Sequence, residues 1–428
     1  MRFRHYRGAR MFLLKLLILV PIGAILLGLT TTARGGEEEK THEQKIIYVW
    51  AGDADRKDRD FVAVVNFDPR SPDYGEVIRT APVPTAGNEP HHCELVHHDD
   101  VLACGGLLSV LRGQDEVFFF DVSDDPANPR FIGSADPPLS SVTDEFVPLP
   151  NGHFLITQMG SATGDAPGRI AEFDEDLKLV AEWPEDPPDA FNPHGLSIRP
   201  ELNLMVTSDF LNPVTTVDGV DGVELRHTVR VWDLANRRIV RTIDIPGAIG
   251  TMDVKLIPGD PRGRAYTSGM FDGRLYLVSP FKGTARPVFD YPQDSMPQIM
   301  EMTSDGTRMF VSLRKTGQVV MYDISNPKRP HVLRVMDLGQ PPPRAPGRAD
   351  PVPSGPHVIH LTHDEKRLVV TDYFLDEDNF GEIHFDGDHK VHVLKVTRNN
   401  LVLDPRFDLD FDTAVPTGPA RPHGVAFK

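Results

Sequence analysis

Four prolyl-histidine pairs stand out: Pro90-His91, Pro193-His194, Pro356-His357 and Pro422-His423, with Pro297-Gln298 as a fifth of the same form. In most of them an apolar-alternating run follows, then a polar turn, then a second apolar run. An apolar residue lies twelve positions after the proline in four cases: Leu102, Met205, Met309 and Leu368. Glu145-Phe-Val-Pro-Leu149 and Met252-Asp-Val-Lys-Leu256 take the same place in two further segments, which puts Glu145 at the position of His357. A lone histidine at a strand start is usually structural. Four at matched positions, with a carboxylate and a thioether beside them, predict a metal centre. Imidazole suits Zn, Cu, Fe and Ni, and this donor set is compatible with copper or iron.

His91, His194, His357 and His423 are the candidate ligands, and His92 is a fifth. Glu145 could be a ligand, an acceptor for a ligand's ring N–H, or a catalytic base. Cys93, two residues from His91, is a candidate reactive thiol or soft ligand. A hairpin that pairs Val96 with Val101 also sets Cys93 opposite Cys104, as a cross-strand disulfide or as two buried thiols. His97 and His98 precede Asp99-Asp100 in a turn expected to be solvated, and His360 falls off the repeat phase.

These residues need a scaffold that repeats. The marker positions 91, 145, 194, 252, 298, 357 and 423 lie 46 to 66 residues apart, which predicts seven units. Each reads as four strands; the third unit gives 194–198, 203–208, 228–233 and 239–244. Radially repeated four-stranded sheets are an all-β propeller. After His423 only Gly-Val-Ala-Phe-Lys428 remains, one strand. The three missing strands are found at the other end, at Ile46–Trp50, Phe61–Phe67 and Glu76–Val83. The expected fold is a seven-bladed β-propeller over 46–428, closed by N- and C-terminal strands that share one blade. The 39 prolines and 35 glycines then serve as turn formers between short strands.

Residues 1–36 carry a basic stretch, an apolar run from Leu16 to Leu29 and small residues around Ala33. This predicts a signal peptide, or an N-terminal membrane anchor if it stays uncleaved, followed by a linker over 37–45. The body is expected in the periplasm or outside the cell, and any membrane contact through this segment alone. The net charge of −17 argues against nucleic acid; homo-oligomerisation stays open. The acidic stretch Asp372–Asp388 lacks EF-hand spacing and reads as a solvated connection. The proline-rich stretch from Gln340 to Pro356 reads as a long loop leading to His357.

Asp60-Phe-Val-Ala-Val-Val-Asn-Phe-Asp-Pro-Arg-Ser-Pro-Asp-Tyr-Gly-Glu-Val-Ile78 resembles the opening of the selenium-binding protein family, which includes methanethiol oxidase. His91-His92, Glu145-Phe-Val-Pro-Leu149, Met321-Tyr-Asp-Ile-Ser-Asn-Pro-Lys-Arg-Pro330, Gly355-Pro-His357 and Ala420-Arg-Pro-His423 are similar as well. The resemblance implies a copper-dependent propeller oxidase of small thiols. Such an enzyme turns methanethiol, O2 and water into formaldehyde, hydrogen sulfide and hydrogen peroxide. His91, His194, His357 and His423 would hold the metal and Glu145 would relay protons. Selenium attachment through a cysteine would fall to Cys93 or Cys104. Two other readings fit the residues: an iron oxygenase similar to the carotenoid-cleaving propellers, and a non-catalytic exported propeller that binds a partner.

Overall fold

In the computed structural model, residues 44–218, 222–339, 355–372, 375 and 388–428 are described. The signal or anchor over 1–36, most of the linker, the proline-rich stretch 340–354 and most of the acidic stretch lie outside them. The described chain is a ring of seven antiparallel sheets, a seven-bladed β-propeller. The innermost strands are Pro90–Val96, Ser140–Pro148, Pro193–Arg199, Thr251–Leu256, Pro297–Met302, Pro356–Leu361 and Ala420–Phe427. They head blades one to seven. The third blade continues with Leu204–Asp209, Thr228–Asp233 and Arg238–Asp244, within a residue or two of the expected spans.

Each sheet is covered on both faces by its neighbours, so its inner strands read as near-continuous apolar runs. Side chains alternate along a strand. Ile47, Val49 and Ala51 therefore enter the core shared with blade six, beside Val369 and Val391. Tyr48 and Trp50 enter the core shared with blade one, beside Leu102 and Phe118.

Closure follows the expected plan. Ala420–Phe427 pairs with Ile46–Asp53, which pairs with Phe61–Asn66, and Val77–Pro82 forms the outer edge. Phe427 stacks on Phe67 with ring centroids 5.8 Å apart. From blade six the buried Arg367 lies over the Phe67 ring at 3.7 Å and donates to the carbonyls of Phe67 (2.7 Å) and Gln44 (3.1 Å). Trp50 donates from Nε1 to Gly105 O of blade one at 2.8 Å. Phe427→Ala removes the ring that joins the two chain ends. It is expected to lower the unfolding free energy by about 3–5 kcal/mol, read from the shift in denaturation midpoint.

Candidate metal centre

The innermost strands share one irregularity. In blade one Pro90 pairs with Gly106, but the next pair is Cys93 with Cys104, three steps on one strand against two on the other. The same extra residue occurs in blades two to six, and blade seven carries one at His423. A strict period of two would send successive side chains to opposite faces; a bulge breaks that rule. The bulge explains how the neighbours His91 and His92 both reach the centre, with rings stacked 4.6 Å apart.

Hydroxyls lock these bulges to the adjacent blade. Thr157, Ser208, Ser312 and Thr371, each on the second strand of its blade, donate to the carbonyls of His194, Met252, His357 and His423 at 2.5–2.7 Å. Three of them also accept the N–H one residue past their own blade's marker, from Glu145, Gly195 and Ile299. The marker backbone is thereby fixed from both sides.

His91, His92, His357 and His423 each bring one ring nitrogen into a group whose members lie within 4.8 Å of one another. His194 is held differently. Its Nε2 and that of His91 both face Asp144 Oδ2, at 3.2 and 3.1 Å. Gln298 Oε1 accepts from His357 Nδ1 at 2.8 Å, a partner that leaves Nε2 as the basic nitrogen of a neutral ring.

Register corrects one expectation. In blade two Thr143 pairs with Gln158 and Phe146 with Ile156 across the bulge. The counterpart of His357 is therefore Asp144, and Glu145 sits one place further on, as His92 does in blade one. Matching on the far strand end misplaced it, because the turn of this blade is two residues shorter. Asp144 escaped notice for that reason. The signal for it was the pair Gln158 and Thr157 on the returning strand.

Burial would raise the Asp144 carboxyl, but His194, His92 and His91 hold it well below the usual carboxylate range. Burial in turn pushes His91 down and His194 down to about 4, against the pull of Asp144. Burial and neighbouring imidazoles push His357 and His423 well down. These four rings are neutral at physiological pH, the form that ligates metal. His92 is the exception: burial lowers it, yet Asp144 and Glu145 raise it further. Glu145, despite its burial, is lowered to about 2 by Lys255 and His92. It contacts Lys255 Nζ at 2.7 Å and His92 Nδ1 at 3.3 Å.

Asp144 has its own support. Buried Glu116 accepts the Val142 N–H at 3.0 Å and the Thr143 hydroxyl contacts it at 3.3 Å. Val142 has φ +64°, a left-handed conformation that a β-branched residue rarely adopts. The Glu116 contact thus stabilises a strained turn two residues before Asp144.

Cys93 and Cys104 face each other as expected, as free thiols with sulfurs 2.7 Å apart. Cys93 packs among Trp50, Leu95 and Phe118. Burial pushes both thiols up, away from the reactive thiolate, and among the described residues no cysteine joins the candidate ligand groups. His97 is less solvated than expected; its Nε2 meets Asp174 O at 3.1 Å. His360 contacts Val425 O at 3.0 Å.

A pocket of about 320 Å³ lies toward the C-terminal ends of the inner strands, bordered by His92, Cys93, Glu145, Lys255 and His360. Toward the strand starts, the apolar group Val142, Met159, Phe210, Met252, Met270 and Met296 adjoins the histidines. There Phe210 meets His194 edge-on at 5.3 Å.

Fold and site together define a propeller with a buried imidazole–carboxylate centre on its axis, open on one side to a small polar pocket. The chain belongs to the 56kDa selenium binding protein (SBP56) family, whose model matches residues 31–264 and 284–428. A methanethiol oxidase of Xenopus laevis is 22% identical over 86% of this chain and 89% of its own. The human methanethiol oxidase is 22% identical over the same shares, and selenium-binding protein 2 of Mus musculus 23%. A selenium-binding protein from Sulfolobus tokodaii has the same fold, with a TM-score of 0.75, 18% identity and coverage of 90% and 94% of the two chains.

Glu116 gives the site a measurable pH signature. Burial raises its carboxyl from 4.5 to about 8. Between those values the folded protein holds a proton that the unfolded chain releases, so this group's contribution to stability falls as pH rises. In Glu116→Gln that contribution is absent. The unfolding free energy of the variant relative to the parent is expected to rise from pH 5 to pH 8 in denaturant titrations; a flat difference contradicts the assignment.

Proposed function

We propose that this chain is an exported, metal-dependent oxidase of small thiols, with methanethiol, O2 and water as reactants and formaldehyde, hydrogen sulfide and hydrogen peroxide as products. The observation that carries the reading is the buried group His91, His92, His357 and His423, four imidazoles whose facing nitrogens lie within 4.8 Å of one another. Family membership and the methanethiol oxidases among the relatives support the reaction class.

The donor set fits copper, with iron as the alternative. Three of the four rings are driven to the neutral form. The His92 Nε2 atom is buried with no hydrogen-bond partner among the described residues, a cost that a bound cation would relieve. His91, His92, His357 and His423 would hold the ion, and His194 would act through Asp144. When bound, copper would supply a soft, redox-active centre for sulfur and O2.

The protein's own groups do the rest. Asp144 orients His91 by accepting from its Nε2, and the His194 Nε2 lies 3.2 Å from the same oxygen. Glu145 accepts from His92 and Lys255, so its charge is compensated and it fixes the His92 ring at the pocket floor. A thiol proton entering from the pocket meets this Glu145–Lys255–His92 group first. The Cys93 thiol takes no part.

Protein recovered from the exported fraction is expected to carry about one copper per chain by elemental analysis. The double variant His357→Ala, His423→Ala should lose both the metal and thiol oxidation, measured as hydrogen peroxide release. Thiol oxidation by metal-free protein would falsify the proposal. Asp144→Asn keeps the shape and removes the charge; its metal affinity is expected to fall about 10- to 100-fold, read by competition with a chelator.

A further inference from the structure

The pocket beside His92 is larger and more charged than methanethiol requires. A two-heavy-atom thiol fills little of about 320 Å³, a size at the lower end of pockets that enclose much larger ligands. Its wall is a ring in its own right. Three positions past five of the seven markers the inner strands place Glu94, Ser197, Lys255, Glu301 and His360, one pleat period, about 6.6 Å, beyond the layer of His92 and Glu145. All five border the pocket.

The charges of this ring do not cancel. The Lys255 ammonium is taken by Glu145 at 2.7 Å, with Asp253 at 4.0 Å. The His360 Nδ1 is taken by a backbone carbonyl. Glu94 and Glu301 form no ion pair among the described residues, and Glu94 accepts the N–H of Leu95 at 2.8 Å. Burial raises both carboxyls, against the pull of His360 on both and of Lys255 on Glu301. Below them, nine-tenths buried, the His92 ring borders the same pocket. The pocket thus has a carboxylate rim and an imidazole floor one pleat apart.

We propose that the substrate is a small cationic thiol, an aminothiol, with its ammonium between Glu94 and Glu301 and its sulfur at the histidine floor. This rests on the thiol-oxidase reading and puts a cationic thiol in place of methanethiol as the preferred substrate. For such a substrate one thiol R–CH2–SH, one O2 and one water give one aldehyde R–CHO, one hydrogen sulfide and one hydrogen peroxide. The C–S bond breaks, the carbon gives two electrons to O2, and water supplies the carbonyl oxygen. The rim selects by charge, because a carboxylate-bearing thiol would meet Glu94 and Glu301 with like charge and find Lys255 already paired.

The test uses three thiols of matched length on the metal-loaded full chain: 3-aminopropane-1-thiol, propane-1-thiol and 3-mercaptopropionate. The amine is expected to exceed the neutral thiol about tenfold in kcat/KM, with the carboxylate lowest. Glu301→Gln and Glu94→Gln should each shrink the amine-to-neutral ratio several-fold. In parallel, calorimetry with propylamine, which has no thiol, reads the rim without any oxidation. Thiols oxidised at rates blind to charge overturn the cationic substrate and leave the oxidase reading standing. Propylamine binding that Glu301→Gln abolishes, with no thiol oxidised, overturns the oxidase reading and leaves the cation rim standing. Absence of propylamine binding overturns the rim.

Discussion

The chemistry of this propeller depends on one extra residue per inner strand. Regular strands would alternate His91 with His92, and Asp144 with Glu145, between opposite faces. The bulge aims both members of each pair at the axis, and the second-strand hydroxyls hold it there by bonding to the next blade. The interaction is between blades, so the spacing of the imidazoles is set by the ring as a whole. A change in one blade's tilt would be felt at its neighbour's marker carbonyl.

Around that frame burial makes the electrostatics lopsided. The centre keeps two ionised carboxylates, Asp144 against three imidazoles and Glu145 against Lys255 and His92, while desolvation keeps most of the rings uncharged. An ionised acid such as Asp144 is tolerable in so dry a place because one ring donates to it and a second ring nitrogen lies 3.2 Å away. The floor of the pocket and its rim are then separate electrostatic zones. The first is built for neutral donors, and the second carries carboxylates with too few cations.

Much of this was legible in the chain itself. The four prolyl-histidine markers and Pro297-Gln298 located five inner strands, and the single strand after His423 located the closure. The pairing of Cys93 with Cys104 followed from a hairpin whose turn length was readable. Asp144 was not legible by the same device. Blade two begins with Thr143 in place of proline and has a shorter turn, so counting from the far strand end slipped by one residue. The hydroxyls Thr157, Ser208, Ser312 and Thr371 sit at one place in four apolar runs, a repeat that would have fixed the register. The strained turn at Val142 and its partner Glu116 had no signal, because their contact joins two blades.

The shared seventh blade sets an order of events. His423 lies within the eight-residue strand Ala420–Phe427, so until that strand docks the chain holds three of the four clustered imidazoles and an open ring. The fourth arrives only when Ala420–Phe427 pairs with Ile46–Asp53. Completion of the centre therefore depends on closure of the ring, and a chain cut short anywhere before residue 423 lacks one of its imidazoles.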